Sequence, residues 1–117
     1  MVLKSKIHRC TITDSDLNYE GSIGLGPELM AAADILEFER VAIWNITNGE
    51  RFETYAIKSN PGDVVINGAA ARKVQRGDTI IVASWGYYEY TEGKIEYPRP
   101  TLVFVDEKNK ITEKKRY

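Results

Sequence analysis

At 117 residues, with 16 Lys+Arg against 17 Asp+Glu and a formal net charge of −1, the chain fits one domain and lacks the basic excess of a nucleic-acid binder. No apolar run approaches the roughly 18 to 20 residues of a membrane span, and the start, MVLKSKIHRC, lacks the apolar centre of a signal peptide; a cytoplasmic protein is expected. With Cys10 and His8 the only residues of their kinds, neither an intrachain disulfide nor a cysteine-rich or two-histidine metal site can be written.

In chain order, KSKIHRCTITD alternates Ile7, Cys10 and Ile12 with polar residues, as a half-buried strand with one irregularity would. LNYEGSIG, residues 17–24, places Gly21-Ser22 between two β-like runs and reads locally as a turn. GPELMAAADILEF predicts a helix, with Pro27 in its first turn, Glu28 complementing the N-terminal dipole, and good helix formers behind them. RVAIWNIT and ERFETYAIK predict two strands joined at Asn48-Gly49 by a type I′ hairpin turn. NPGD is a second turn, VVING a short strand, AAARKV one or two helical turns, and TIIVASWGYY an apolar strand. Residues 86–100 are polar, proline-bearing and rich in tyrosine, and read as a long excursion. TLVFVDEKNKIT predicts strand, turn and strand, followed by a charged tail, EKKRY. Short strands with frequent turns and one or two short helices predict a small, mostly β barrel.

Four clusters could carry chemistry: Lys6-Ile7-His8-Arg9, Tyr19-Glu20-Gly21-Ser22, the run from Trp44 to Tyr55, and Asn67-Gly68-Ala69-Ala70-Ala71. Each also has an ordinary structural reading. Lys6 and His8 share one strand face by the period of two; Arg51 and Tyr55 share another, with Thr54 opposite. A serine–glycine elbow, a P-loop and a dinucleotide fingerprint are all missing, and GSIGLG lacks the spacing of a phosphate cradle.

Taken together, KIHR, DLNYEGS, WNITNGERFETYAI and INGAAARK resemble the aspartate 1-decarboxylase family in order and separation, continuously over residues 3–85 and more weakly through PTLVFVDEKNKI. The resemblance implies a double-psi β-barrel, a homotetramer with sites at subunit interfaces, and a lyase that makes β-alanine and CO2 from L-aspartate for pantothenate synthesis. It also implies a zymogen: Ser22 attacks the Gly21 carbonyl, the chain divides into 1–21 and 22–117, and Ser22 becomes a covalent pyruvoyl group, with no metal. That cofactor suits the chemistry, because a carbanion beside nitrogen needs an electron sink, and a Schiff base to an α-keto group supplies one.

By the same resemblance Thr54 serves processing and substrate contact, and Tyr55 is the proton donor. Lys6 and Arg51, from different parts of the tetramer, hold the substrate carboxylates. Asn67, Gly68, Ala69 and Ala70 form the substrate loop, while His8 and Tyr19 stand near the cleavage point. Gly21 is expected to be glycine because a side chain would block the attack. Some relatives need a maturation helper protein. Two alternatives stay open: a non-catalytic barrel that binds a ligand or partner, and a pyruvoyl decarboxylase of another amino acid.

Overall fold

The computed structural model describes residues 1–94 and 96–117. Nine strands follow in chain order: β1 (Val2–Thr11), β2 (Asp14–Asp16), β3 (Ser22–Leu25), β4 (Arg40–Asn45), β5 (Arg51–Lys58), β6 (Val64–Asn67), β7 (Thr79–Gly86), β8 (Thr101–Val105) and β9 (Ile111–Arg116). Among the described residues one helix, α1 (Pro27–Ala33), and a 3-10 turn, Gly68–Lys73, interrupt these strands.

The strands are ordered β2-β6-β3-β5-β4-β7-β1-β8-β9. Its first member, β2, is separated in the chain from β1 by only Ile12-Thr13, and there the sheet returns on itself. Thr13 N–H donates to the Val64 carbonyl at 2.8 Å, and Val64 N–H donates to Thr13 Oγ1 at 3.0 Å. Six positions therefore close a ring, β1/β2-β6-β3-β5-β4-β7, and β8 and β9 extend it beyond β1. Three pairings, β1 with β8, β2 with β6 and β3 with β5, are parallel, so the chain crosses the barrel rather than meandering round it. Running β1 straight on into β2 is how a small all-β protein limits its exposed edges.

Alternation supplies the interior. Ile7, Ile23, Leu25, Val41, Ile43, Ala56, Val64, Ile66, Ile80, Val82 and Val103 are fully buried in one cluster with Leu29 and Met30 of α1. Cys10 lies in this cluster, and burial pushes its thiol up to about 12, so it is a core residue rather than a nucleophile. No helix among the described residues is long and apolar enough to cross a membrane.

Three sequence expectations change, and a fourth, the excursion after β7, stands over the described residues. The helix ends at Ala33 rather than continuing to Phe38: Asp34 turns left-handed at φ 54°, and Asp34 and Ile35 N–H bond back to Ala31 and Met30. That double return, with Ile35 buried beneath it, is a Schellman stop. The β4–β5 hairpin forms, yet its turn is not type I′, because Gly49 has positive φ and Asn48 does not. A longer loop runs from Asn45 to Glu50, closed by Gly49 N–H to the Asn45 carbonyl and Asn45 N–H to the Glu50 carbonyl, both 2.8 Å. The supposed charged tail is mostly strand, since β9 runs to Arg116 against β8. The excursion carries no strand or helix in 87–94 and 96–100, and Ile95 within it lies outside the described residues.

Candidate active site

Two groups of sequence-selected residues come together, in two different places. The first surrounds Ser22, which opens β3. Ser22 is 1 % exposed although Gly21 before it is on the surface, so the Gly21–Ser22 bond lies where a surface turn enters the barrel wall. Ser22 stands opposite Asn67 in the antiparallel β3–β6 ladder, and Asn67 Nδ2 donates to Ser22 Oγ at 3.0 Å. Asn67 is also the N-cap of the 3-10 turn, a place where asparagine normally caps its own backbone; here it makes no cap bond. Its amide is committed to Ser22 instead.

Gly68 follows at φ +69°, and a Cβ built there would lie 2.6 Å from Gly21 Cα, 2.8 Å from Gly21 N and 3.1 Å from the Tyr19 carbonyl oxygen. A Cβ built on Gly21 meets nothing within 4 Å. The tight steric demand lies at Gly68, which packs directly against the Tyr19–Gly21 backbone. Ala69 and Ala70 continue the same 3-10 turn at its surface. On the other flank, Ile23 pairs in parallel with Ala56, so Ser22 and Tyr55, each one residue earlier, stand side by side. Tyr55 is 37 % exposed on the outer face of β5, and Thr54 is half-buried on the opposite face, as alternation requires.

The second group gathers on Trp44. Arg51 pairs with Trp44 across the hairpin, and its guanidinium carbon is 4.5 Å from the indole centroid. Lys6 Nζ lies 5.7 Å from the same ring. Lys6 reaches it across β7, where Ala83 registers with Lys6 on one side and Ala42 on the other; two small side chains leave the path open. Both cations thus flank one aromatic ring within one chain. Trp85 meets Trp44 edge-on at 6.5 Å, and a groove of about 800 Å³ opens beside Trp44, Arg51 and Trp85. Trp44 opens one of the four clusters but carries no role of its own in the sequence reading, although the alternation in RVAIWN, with Val41 and Ile43 buried, places it on the outer face.

His8 and Tyr19 divide. The Tyr19 backbone belongs to the Ser22 group, through its carbonyl above Gly68. His8 sits on β1 between β7 and β8, edge-on to Phe104 at 5.5 Å, and neither strand flanking Ser22 is its neighbour. Burial first, then Arg9 and Lys6, hold its pKa below the ordinary histidine value, so the ring is neutral at neutral pH.

The mostly β fold thus buries a serine next to an exposed glycine, with an asparagine amide on its hydroxyl and a tyrosine on the neighbouring strand. The family model for aspartate decarboxylase matches residues 1–112. Aspartate 1-decarboxylase of Syntrophotalea carbinolica is 54 % identical over 116 residues, covering 97 % of this chain and 87 % of that protein. The Bdellovibrio bacteriovorus enzyme of the same name is 50 % identical over 115 residues (98 % and 91 %), and that of Syntrophus aciditrophicus 53 % over 113 residues (95 % and 96 %). Among solved structures, the rationally designed mkDPBB_sym_86 protein matches at TM-score 0.45 and 14 % identity over 70 % of this chain and 91 % of that one, a likeness too loose to argue from. The chain belongs to the aspartate decarboxylase family.

Proposed function

We propose that this chain, acting as one domain, decarboxylates L-aspartate to β-alanine and CO2 for pantothenate and coenzyme A synthesis. It does so after cleaving itself between Gly21 and Ser22 into 1–21 and 22–117. The observation that carries the reading is the buried Ser22 hydroxyl, held by Asn67 at the point where the glycine-lined turn enters the barrel.

For cleavage, Ser22 Oγ attacks the Gly21 carbonyl carbon, the peptide C–N bond gives way to an ester, and Thr54 donates to the oxygen on which charge develops. Loss of the Ser22 α-proton then expels Gly21 as a carboxylate, and water displaces ammonia from the remaining dehydroalanine. The position fits the pyruvoyl group that results. Asn67 Nδ2 can donate to a carbonyl oxygen as it does to the hydroxyl, and the group has no more heavy atoms than the serine it replaces. When formed, that group supplies the electron sink that decarboxylation requires.

The rest falls to side chains. Arg51 suits one substrate carboxylate because its planar fork pairs bidentately, while Lys6 supplies a point charge for the other. Tyr55 returns a proton to the α-carbon. Gly68, Ala69 and Ala70 offer backbone N–H groups behind short side chains. Arg51 and Tyr55 are four residues apart on one strand, about 13 Å at about 3.3 Å per residue. The Arg51 guanidinium lies over Trp44 while the Tyr55 ring lies against Phe38, so the two side chains reach different neighbours. The reading therefore sets the Lys6–Arg51 pair of one copy against Ser22 of another, in a cytoplasmic homotetramer whose maturation is unaided or assisted by a helper protein.

Denaturing mass spectrometry of the purified protein tests the proposal. Two fragments divided after Gly21, the larger without Ser22's amino group, together with CO2 release from aspartate, are expected. Ser22→Ala should stay in one piece, folded and inactive. A processed and active Ser22→Ala protein would overturn the mechanism.

A further inference from the structure

Phe38 breaks two local rules at once. It adopts φ +71°, the left-handed region that a bulky side chain disfavours, and it holds its ring 70 % exposed. The backbone explains the first. Glu39 N–H returns to the Leu36 carbonyl at 3.1 Å, making a tight turn with Phe38 at its third position. Phe38 N–H donates to the Ala56 carbonyl at 2.7 Å and Ala56 N–H donates to the Glu39 carbonyl at 2.9 Å, so two residues oppose one. This is a bulge of the type whose first residue is ordinarily glycine. A glycine, or an asparagine, would meet the backbone requirement with less strain.

What phenylalanine adds is its ring, and the ring meets Tyr55: the centroids are 6.5 Å apart with the planes tilted at 40°. The strand order gives the contact a direction. β5 lies between β4 and β3, and Phe38 leads into β4 while Ser22 opens β3. Tyr55 is thus flanked by Ser22 on one side and backed by Phe38 on the other. The turn bearing Phe38 is tied down from below, since the Glu39 carboxylate accepts from Leu36 N–H, from Lys4 Nζ and from Ser84 Oγ. Strain that the surroundings enforce so firmly marks a place where a side chain is being aimed.

We propose that Phe38 is a positioning residue for Tyr55, a backstop that narrows the rotamers of the phenol and keeps it beside Ser22. The inference rests on the proton-donor reading of Tyr55 above. Phe38→Gly removes the ring and relieves the left-handed strain, so stability and function should move in opposite directions. The mature Phe38→Gly enzyme should melt roughly a few degrees higher, keep its KM, and lose about tenfold in kcat. Phe38→Tyr should restore kcat without the gain in melting temperature.

Two further readouts separate this inference from the reading beneath it. The Tyr55 ring signal in NMR of protein labelled at tyrosine, assigned by its loss in Tyr55→Phe, should shift and broaden in Phe38→Gly, and this holds whatever Tyr55 does in catalysis. In the Tyr55→Phe background, Phe38→Gly should cost little further kcat, because the two residues act as one unit. An unmoved Tyr55 signal, an unchanged kcat, or a Phe38→Gly protein that loses activity only because its oligomer dissociates would each overturn the backstop. Full turnover by Tyr55→Phe with a shifted Tyr55 signal in Phe38→Gly would instead overturn the proton-donor role and leave the contact standing.

Discussion

At the scale of single residues, the distinction between Gly21 and Gly68 matters most. A motif such as EGS draws attention to the glycine beside the serine, and its sequence neighbourhood gives no hint of what else must be small. The crowding comes from a residue 47 positions later, through a ladder that pairs Ser22 with Asn67. Gly68→Ala should therefore damage more than Gly21→Ala does to the fold. At φ +69° alanine costs about 1–2 kcal/mol, and its methyl would have to push the Gly21 backbone aside. The expected outcome is a protein with lowered denaturation midpoint whose 1–21 fragment appears slowly or not at all on a denaturing gel. Rapid, complete cleavage in Gly68→Ala would show that the turn tolerates displacement. Asn67 was legible as a candidate because Asn-Gly is a conspicuous pair. Its bond to Ser22 was not, because an asparagine in that setting caps its own turn as readily as it reaches across a sheet.

Among the elements, strands were readable wherever alternation runs unbroken. Arg51, Glu53 and Tyr55 point outward and Ala56 is buried, so the face that carries Arg51 and Tyr55 follows from a period of two. Ends were less readable, since they depend on backbone states that propensity does not encode: Asp34 stops α1 by turning left-handed, and β9 continues through four consecutive charged residues because β8 offers it a partner. The turn between α1 and β4 is held by an acid network invisible in the local sequence, where Glu39 meets Lys4, 35 residues earlier, and Ser84, 45 residues later. Burial pushes the Glu39 carboxyl up, but hydrogen bonds from Ser84, Leu36 N–H and Lys4, with the lysine charge, outweigh it and hold it below the usual glutamate range. A depressed folded value contributes stability that is present above the unfolded pKa and is lost as pH falls through the folded one. Glu39→Gln should accordingly be less stable than the parent at pH 7, by about 1 kcal/mol, with the gap closing below about pH 4. Urea denaturation at several pH values measures this, and a gap independent of pH would mean that Glu39 acts by packing alone.

Seen whole, the barrel was foreseeable and its closure was not. Frequent turns and short strands announce a small β architecture, yet nothing local to Thr13 or Val64 says that the β1–β2 connection will be tied to β6. The same holds for the split between the Ser22 group and the cation pair, whose separation follows from four residues of strand β5 and from Lys6 leaning over Ala83. If the site is completed by a second copy, two inactive variants should repair one another. Co-expressed Ser22→Ala and Arg51→Ala chains should regain about a quarter of parental decarboxylation per mixed oligomer by random assortment, while neither alone shows any. Persistent inactivity of well-mixed oligomers would place the whole site in one chain. The proposed division at Gly21–Ser22 also bears on what the molecule could undo. β1 and β2 both precede that bond, and β1 lies between β7 and β8 while β2 lies against β6. An intact precursor reaches this arrangement by first-order folding. Once cut, it consists of two polypeptides, and a detached 21-residue piece must find its slots from solution, at a rate set by dilution. Maturation by the proposed cut would thereby change the molecularity of folding, and a mature protein would be held together by interactions that its own chain could assemble easily only before the cut.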